Sequence, residues 1–191
     1  MDNPLEEPDN ARVTRRRGLI AAGVATVLLF LAMVPSDSRM KDTGGPGIVP
    51  LELSGGQDRA DEIFAEWGEE GQDAARESLW IDFGFIIAYG TLLTLALAAV
   101  RDLARRRGWR RLVAIGAVVA PFGALCAGFD ALENVCLLLT LGGAGAALPV
   151  MATVFAVCKF ALLALTIAYL LAGLAMRLRG PAESRQASGS S

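Results

Sequence analysis

Four long apolar blocks constrain this chain more than any other feature: Gly18–Val34, Leu79–Val100, Leu112 to about Leu141, and Leu148 to about Met176. A bilayer core about 30 Å thick needs roughly 20 apolar residues per helical span, so each block reads as a transmembrane helix. Transmembrane barrel strands are shorter and alternate in polarity, which these blocks do not. The expected fold is therefore all-α, a bundle of four transmembrane helices. In a 191-residue chain that is 53% hydrophobic, with mean hydropathy +0.44, little is left over for a soluble domain. The third and fourth blocks exceed one bilayer crossing, and Pro121 is expected to kink the third.

The basic residues set an orientation. Arg12, Arg15, Arg16 and Arg17 precede the first block, and Arg101, Arg105, Arg106, Arg107, Arg110 and Arg111 join the second to the third. Arg177, Arg179 and Arg185 follow the fourth. All of these fall on one side of a four-span topology. The other side, residues 35–78 with the turn at 142–147, holds only Arg39, Lys41, Arg59 and Arg76. The excess of arginine places both termini and the 101–111 link in the cytoplasm and the 35–78 loop outside. The link also reads as a contact for anionic lipid head groups. The outer loop carries 11 acidic residues, which argues against contact with anionic lipid or nucleic acid there. The arginines followed by an apolar run also resemble a secretory leader. Ala32-Met33-Val34-Pro35-Ser36 is a poor cleavage site, however, so an uncleaved anchor is expected.

Three regions complete the layout. Residues 1–17 read as a disordered basic terminus, 18–176 as the transmembrane domain and 177–191 as a disordered tail. The first span is expected to stop at Pro35-Ser36. Residues 36–56, rich in Gly and Pro, read as irregular chain, with Ile48–Leu53 as a short extended stretch. Residues 57–78 read as an interfacial helix broken at Gly68 or Gly71. Trp67 and Trp80 are expected at the outer head-group level and Trp109 at the inner one. Small residues at helical spacing predict close seams: Gly116, Ala120, Ala124 and Gly128 on the third span, and Ala152, Ala156, Ala164, Ala168 and Ala172 on the fourth.

Histidine is absent, which removes His-based triads, haem ligation by His and His-based zinc sites. Cys126, Cys136 and Cys158 lie in apolar spans and read as small buried thiols, with no disulfide framework.

The chemistry-bearing residues are the ionisable ones inside the spans: Asp82, Asp130, Glu133 and Lys159, with Asn134 beside them. Each is costly at membrane depth, and such residues normally face the bundle interior in pairs. Counted from the cytoplasmic ends of the spans, Asp82 lies 18 residues from Val100, Asp130 lies 18 from Leu112, Lys159 lies 17 from Met176 and Glu133 lies 21 from Leu112. At 1.5 Å per residue all four stand about 25–32 Å above that boundary, in the outer leaflet. Asp130, Glu133 and Asn134 share a helix face, as do Asp82 and Tyr89. The expected cluster is Asp82, Tyr89, Asp130, Glu133, Asn134 and Lys159, roofed by the 57–78 helix.

Three carboxylates then face one ammonium. The surplus charge must be protonated, hydrogen-bonded, hydrated or met by a bound cation. A satisfied polar network that only sets helix register explains such a layer. So does a site for a small polar ligand, a cation or a lipid head group, or a layer that stabilises a membrane assembly. Two alternatives are a lipid-modifying enzyme, with a carboxylate as general base and Lys159 as electrostatic stabiliser, and an accessory subunit of a larger complex. Lys159 counts against a divalent-cation cage, so no metal is assigned, and the sequence names no cofactor and no catalytic residue. Membrane lipids are the expected partners, with other membrane subunits or a second copy as further candidates and nucleic acid excluded.

Two patterns carry a resemblance. One is Trp67-Gly68-Glu69-Glu70-Gly71, then Leu79-Trp80-Ile81-Asp82-Phe83-Gly84-Phe85, then Tyr89-Gly90. The other is Asp130-Ala131-Leu132-Glu133-Asn134. Over about residues 57–160 the chain resembles an uncharacterised group of small bacterial four-helix inner-membrane proteins. The resemblance implies a multi-pass protein of the bacterial inner (plasma) membrane and implies no activity. P-loop, dinucleotide, nucleophile-elbow and zincin motifs are all missing.

Overall fold

Inside an apolar block the backbone meets its hydrogen-bonding needs most simply by closing i to i−4 bonds on itself, and the blocks are helical throughout. The computed structural model describes residues 7–178. Its elements, in chain order, are α1 (Glu7–Asp42), α2 (Ile48–Glu52), α3 (Gln57–Arg106), α4 (Arg110–Val119), α5 (Phe122–Leu141) and α6 (Leu148–Leu178). Four helical stretches are long and apolar enough to cross a membrane: Val13–Asp42, Gln57–Arg106, Arg110–Leu141 and Leu148–Leu178. The all-α expectation holds, with no strand among the described residues. α3 packs on α1 and α5, and α5 packs on α6. α1 and α6 are joined through the helices between them and hardly touch each other.

The element boundaries differ from the sequence reading in instructive places. α1 begins at Glu7, so Arg12–Arg17 are helical rather than part of a disordered terminus. Residues 179–191, most of the expected tail, lie outside the described residues. α1 also continues through Pro35 to Asp42. A proline forfeits one backbone bond and crowds the preceding turn. Here the extra turns bury Ser36 and Met40, and Met40 joins Leu51, Ile63 and Trp67 in one apolar core, which offsets that cost. Ile48–Glu52, expected to be extended, is the short helix α2, anchored by the fully buried Leu51.

Residues 57–78 do not form a helix of their own. They open the 50-residue α3, whose backbone leaves helical geometry at Gly68 (φ 59°, ψ −162°). That conformation is essentially reserved for glycine, which explains why the break falls there. Gly71, the other candidate, is helical and lies against the Trp67 side chain, where a β-carbon has no room. Trp67 packs inside the protein rather than on its surface. It is 1% exposed and its indole N–H donates to the Pro46 carbonyl at 2.6 Å. Trp80 is 67% exposed, and the partly buried Trp109 lies beneath the Arg107 guanidinium.

The break at Ala120-Pro121 separates α4 from α5, as the proline predicts. The buried face runs on across it, through Leu112, Gly116, Val119, Gly123, Cys126 and Asp130. Gly116 lies under Tyr169, and Gly123 against Leu93 and Thr94, but Ala124 and Gly128 face outward. On α6, Ala152 and Ala156 are buried, whereas Ala164, Ala168 and Ala172 are exposed. Only part of each expected seam is therefore a packing seam. The rest belongs to the outer surface, and on α6 the buried stripe runs through Lys159, Thr166, Tyr169 and Gly173 instead.

The basic segments converge. An ion pair joins Arg15 of α1 to Asp102 of α3, and Arg15, Arg106, Arg107 and Arg177 line one pocket. The start of α1, the α3–α4 turn and the end of α6 thus share one end of the bundle. α2 and the first turns of α3 close the other.

Candidate functional site

The charged residues inside the apolar helices meet, as their shared level requires. Lys159 on α6 is the hub. Its ammonium donates to Asp130 Oδ1 at 2.7 Å and lies 3.5 Å from Glu52 Oε2. It also lies 2.8 Å from Glu133 Oε2. That approach is off the hydrogen-bonding direction, and neither oxygen of the fully buried Glu133 receives a hydrogen bond. Asp130 is served twice, since the Tyr89 hydroxyl donates to Oδ2 at 2.8 Å. Asp82 accepts from the Asn134 amide at 2.7 Å, and the same amide reaches the Leu79 carbonyl at 3.4 Å. All six residues named from the sequence therefore belong to one connected neighbourhood.

Helical spacing explains this assembly. Asp130, Glu133 and Asn134 occupy successive turns of one face of α5, and all three are buried. Asp82 and Tyr89, seven residues apart on α3, present to that face from one side and Lys159 from the other. One turn deeper, the Cys126 thiol donates to the Lys159 carbonyl at 3.1 Å. This agrees with the reading of the cysteines as structural thiols. All three are free, Cys126 and Cys136 are buried, and Cys158 is partly so.

The roof differs from expectation. α2 shares it with residues 57–78: Leu51 packs with Ile63, Trp67, Ala74 and Ala75 in one core with Cys136 and Leu137 of α5. Glu52 at the end of α2 turns inward to Lys159, and Thr153 of α6 clips the segment from both sides. Its hydroxyl donates to the Glu52 carbonyl at 2.9 Å and accepts from the Gly55 amide at 3.0 Å. Glu52 is the member of the candidate site that sequence reasoning missed. Its signal was present, as a single acidic residue inside the apolar run Ile48-Val49-Pro50-Leu51-Glu52-Leu53. Reading that run as an outer loop hid it.

Beside the cluster is a cavity of about 430 Å³. Glu52, Asp82, Asp130 and Lys159 edge it. Its remaining wall is largely apolar, with Phe30 and Met33 from α1, Phe85 from α3, and Phe160 and Leu163 from α6. α1 and α6 form its two flanks, and their separation leaves the cavity bounded by different helices on each side. Tyr89 and Asn134 also face it, whereas Glu133 stands behind Lys159 and does not line it.

The charge balance is more lopsided than the sequence suggests. Four carboxylates, Glu52, Asp82, Asp130 and Glu133, surround one ammonium. The protein's own donors, Lys159, Tyr89 and Asn134, satisfy Asp130 and Asp82 well, Glu52 weakly and Glu133 not at all by hydrogen bonding. Such an arrangement can attract a cationic or hydrogen-bond-donating head group, or pass a proton along Tyr89, Asp130 and Lys159. Among the described residues no set of acidic or cysteine side chains converges as a metal site requires. No family model matches this chain, and no curated protein or solved structure matches it.

Proposed function

We propose that this chain is a multi-pass protein of the bacterial inner membrane that binds an amphipathic ligand. The polar head sits in the carboxylate–lysine cluster and the apolar part lies along Phe30, Phe85 and Leu163. One observation carries this reading: a cavity of about 430 Å³ that is apolar along its walls and charged at one edge. Its size falls in the range of small-molecule sites, and a few polar groups in an apolar pocket fix a ligand's orientation. A polar network that only set helix register would need no such space beside it.

The arginine distribution supports cytoplasmic termini, which would turn the cluster and α2 toward the outer leaflet. The flanks formed by α1 and α6 suit entry of the ligand sideways from lipid. The 57–78 segment and α2 would then stand at the outer interface.

Native mass spectrometry of the full chain, extracted gently from its membrane, tests the reading. Leu163→Trp narrows the cavity and leaves the charges in place, while Asp130→Asn with Glu133→Gln neutralises part of the head-group site. Both should lose the co-purifying amphiphile that the parent chain retains. Unchanged retention in both variants, with folding intact, would sink the proposal.

A second reading, a lipid-modifying enzyme, draws on Asp130. It accepts hydrogen bonds from both Tyr89 and Lys159 at the edge of the cavity, as a general base with a positioned proton donor would. It predicts turnover of a lipid in proteoliposomes that Asp130→Asn abolishes.

A further inference from the structure

The far end of the bundle holds a second cavity, larger than the first at about 570 Å³ and sharing no residue with it. Arg15 reaches it from α1, Arg106 and Arg107 from the end of α3 and its turn, and Arg177 from the end of α6. Its base is apolar. Val100 of α3 lies against Gly173 of α6, where a β-carbon has no room, and Leu170 and Leu174 continue the strip along α6.

These four arginines are not equivalent. Arg15 is held by Asp102, and Arg107 stacks over Trp109 with 5.8 Å between its guanidinium carbon and the ring. Arg106 and Arg177 have no carboxylate partner among the described residues. Among the described residues, those lining this pocket carry only positive charge, offset at Arg15 by Asp102. A guanidinium is a planar fork that pairs with two phosphate oxygens at once, and several forks from three chain segments define a specific place for one.

We infer that this pocket binds the phosphate of an anionic lipid, with the lipid's acyl chain lying on the Val100–Leu170–Leu174 strip. The strip decides between a lipid and a free anion. Inorganic phosphate uses the arginines alone, whereas this base is apolar and runs on to the exposed Leu171, Leu174 and Leu178 of α6. The inference concerns a different cavity from the carboxylate–lysine site and stands or falls without it.

The test uses the full chain in neutral detergent. Phosphatidylglycerol and phosphatidylcholine with the same acyl chains are titrated, and bound lipid is counted by native mass spectrometry beside the unfolding midpoint. The parent chain should prefer phosphatidylglycerol by on the order of tenfold. Arg106→Gln with Arg177→Gln should weaken phosphatidylglycerol binding about 30-fold, from roughly fivefold per arginine at a lipid surface. Arg110→Gln with Arg111→Gln removes the same charge from residues outside the pocket and should leave the preference within about twofold of the parent's. Equal losses in the two double variants would reduce the effect to general surface charge and overturn the site. So would an absence of headgroup preference in the parent chain. Stabilisation by inorganic phosphate that matches the lipid's would overturn the lipid assignment.

Discussion

At one end of the bundle Lys159 is buried with Asp82, Asp130 and Glu133, and the partly buried Glu52 closes over it from α2. At the other end Arg106 and Arg177 stand at the rim of an open pocket, and the nearest ion pair, Arg15–Asp102, is partly exposed. Both ends are rich in charge, yet the physics differs. A buried charge that loses its partner keeps its desolvation cost, whereas a rim charge that loses its partner returns to water. The cluster end should therefore govern stability and ligand orientation. The arginine end should govern contact with the surroundings and tolerate substitution.

Removing the hub should produce the largest effect. Lys159→Met keeps the bulk of the side chain but leaves Asp130, Glu133 and Glu52 facing one another, and should cost about 3–5 kcal/mol of stability. Chemical unfolding in micelles measures it. Adding Glu133→Gln to Lys159→Met should recover part of the loss. If it recovers none, the cluster is not held by charge balance and the contrast between the two ends fails. Next in size, Asn134→Leu strips Asp82 of its one side-chain donor and should cost about 1–3 kcal/mol, read from the same unfolding midpoint.

Gly68→Ala probes the fold around the cluster rather than its charges. It places a β-carbon at φ 59°, ψ −162°, and should cost about 1–3 kcal/mol. Faster proteolysis near the kink, with cooperative unfolding retained, would be its mark. An unchanged midpoint would show that the kink is not a fixed feature. The smallest effect belongs to the other end: Asp102→Asn should change stability by about 0–1 kcal/mol, because its pair with Arg15 is partly solvated. A loss as large as that of Lys159→Met would erase the distinction between the ends.

How much of this was legible in the sequence depended on periodicity. The four spans, the break at Pro121 and the meeting of Asp82, Tyr89, Asp130, Glu133, Asn134 and Lys159 all follow from helix geometry applied to apolar runs. The misreadings cluster between α1 and α3, where no period guides the eye. Pro35 reads as a stop, yet the buried Met40 holds the helix beyond it. Trp67 reads as an interface residue, yet its indole finds a carbonyl inside the core, at Pro46. Ala164, Ala168 and Ala172 read as a seam, yet they face outward, because spacing alone does not say which stripe of an apolar helix meets its neighbour.

By itself, then, the sequence determined that the chain is a bundle of membrane-length helices and that its inner charges share one level. A rise of 1.5 Å per residue converts spacing into depth without any knowledge of packing. Only the tertiary structure decided that α2 folds back to bring Glu52 to Lys159, that Glu133 is left without a hydrogen bond, and that a cavity opens beside the cluster. Those outcomes rest on contacts between residues as far as 107 positions apart. They are set by how side chains from different helices fill or fail to fill the space between them, which no local pattern encodes.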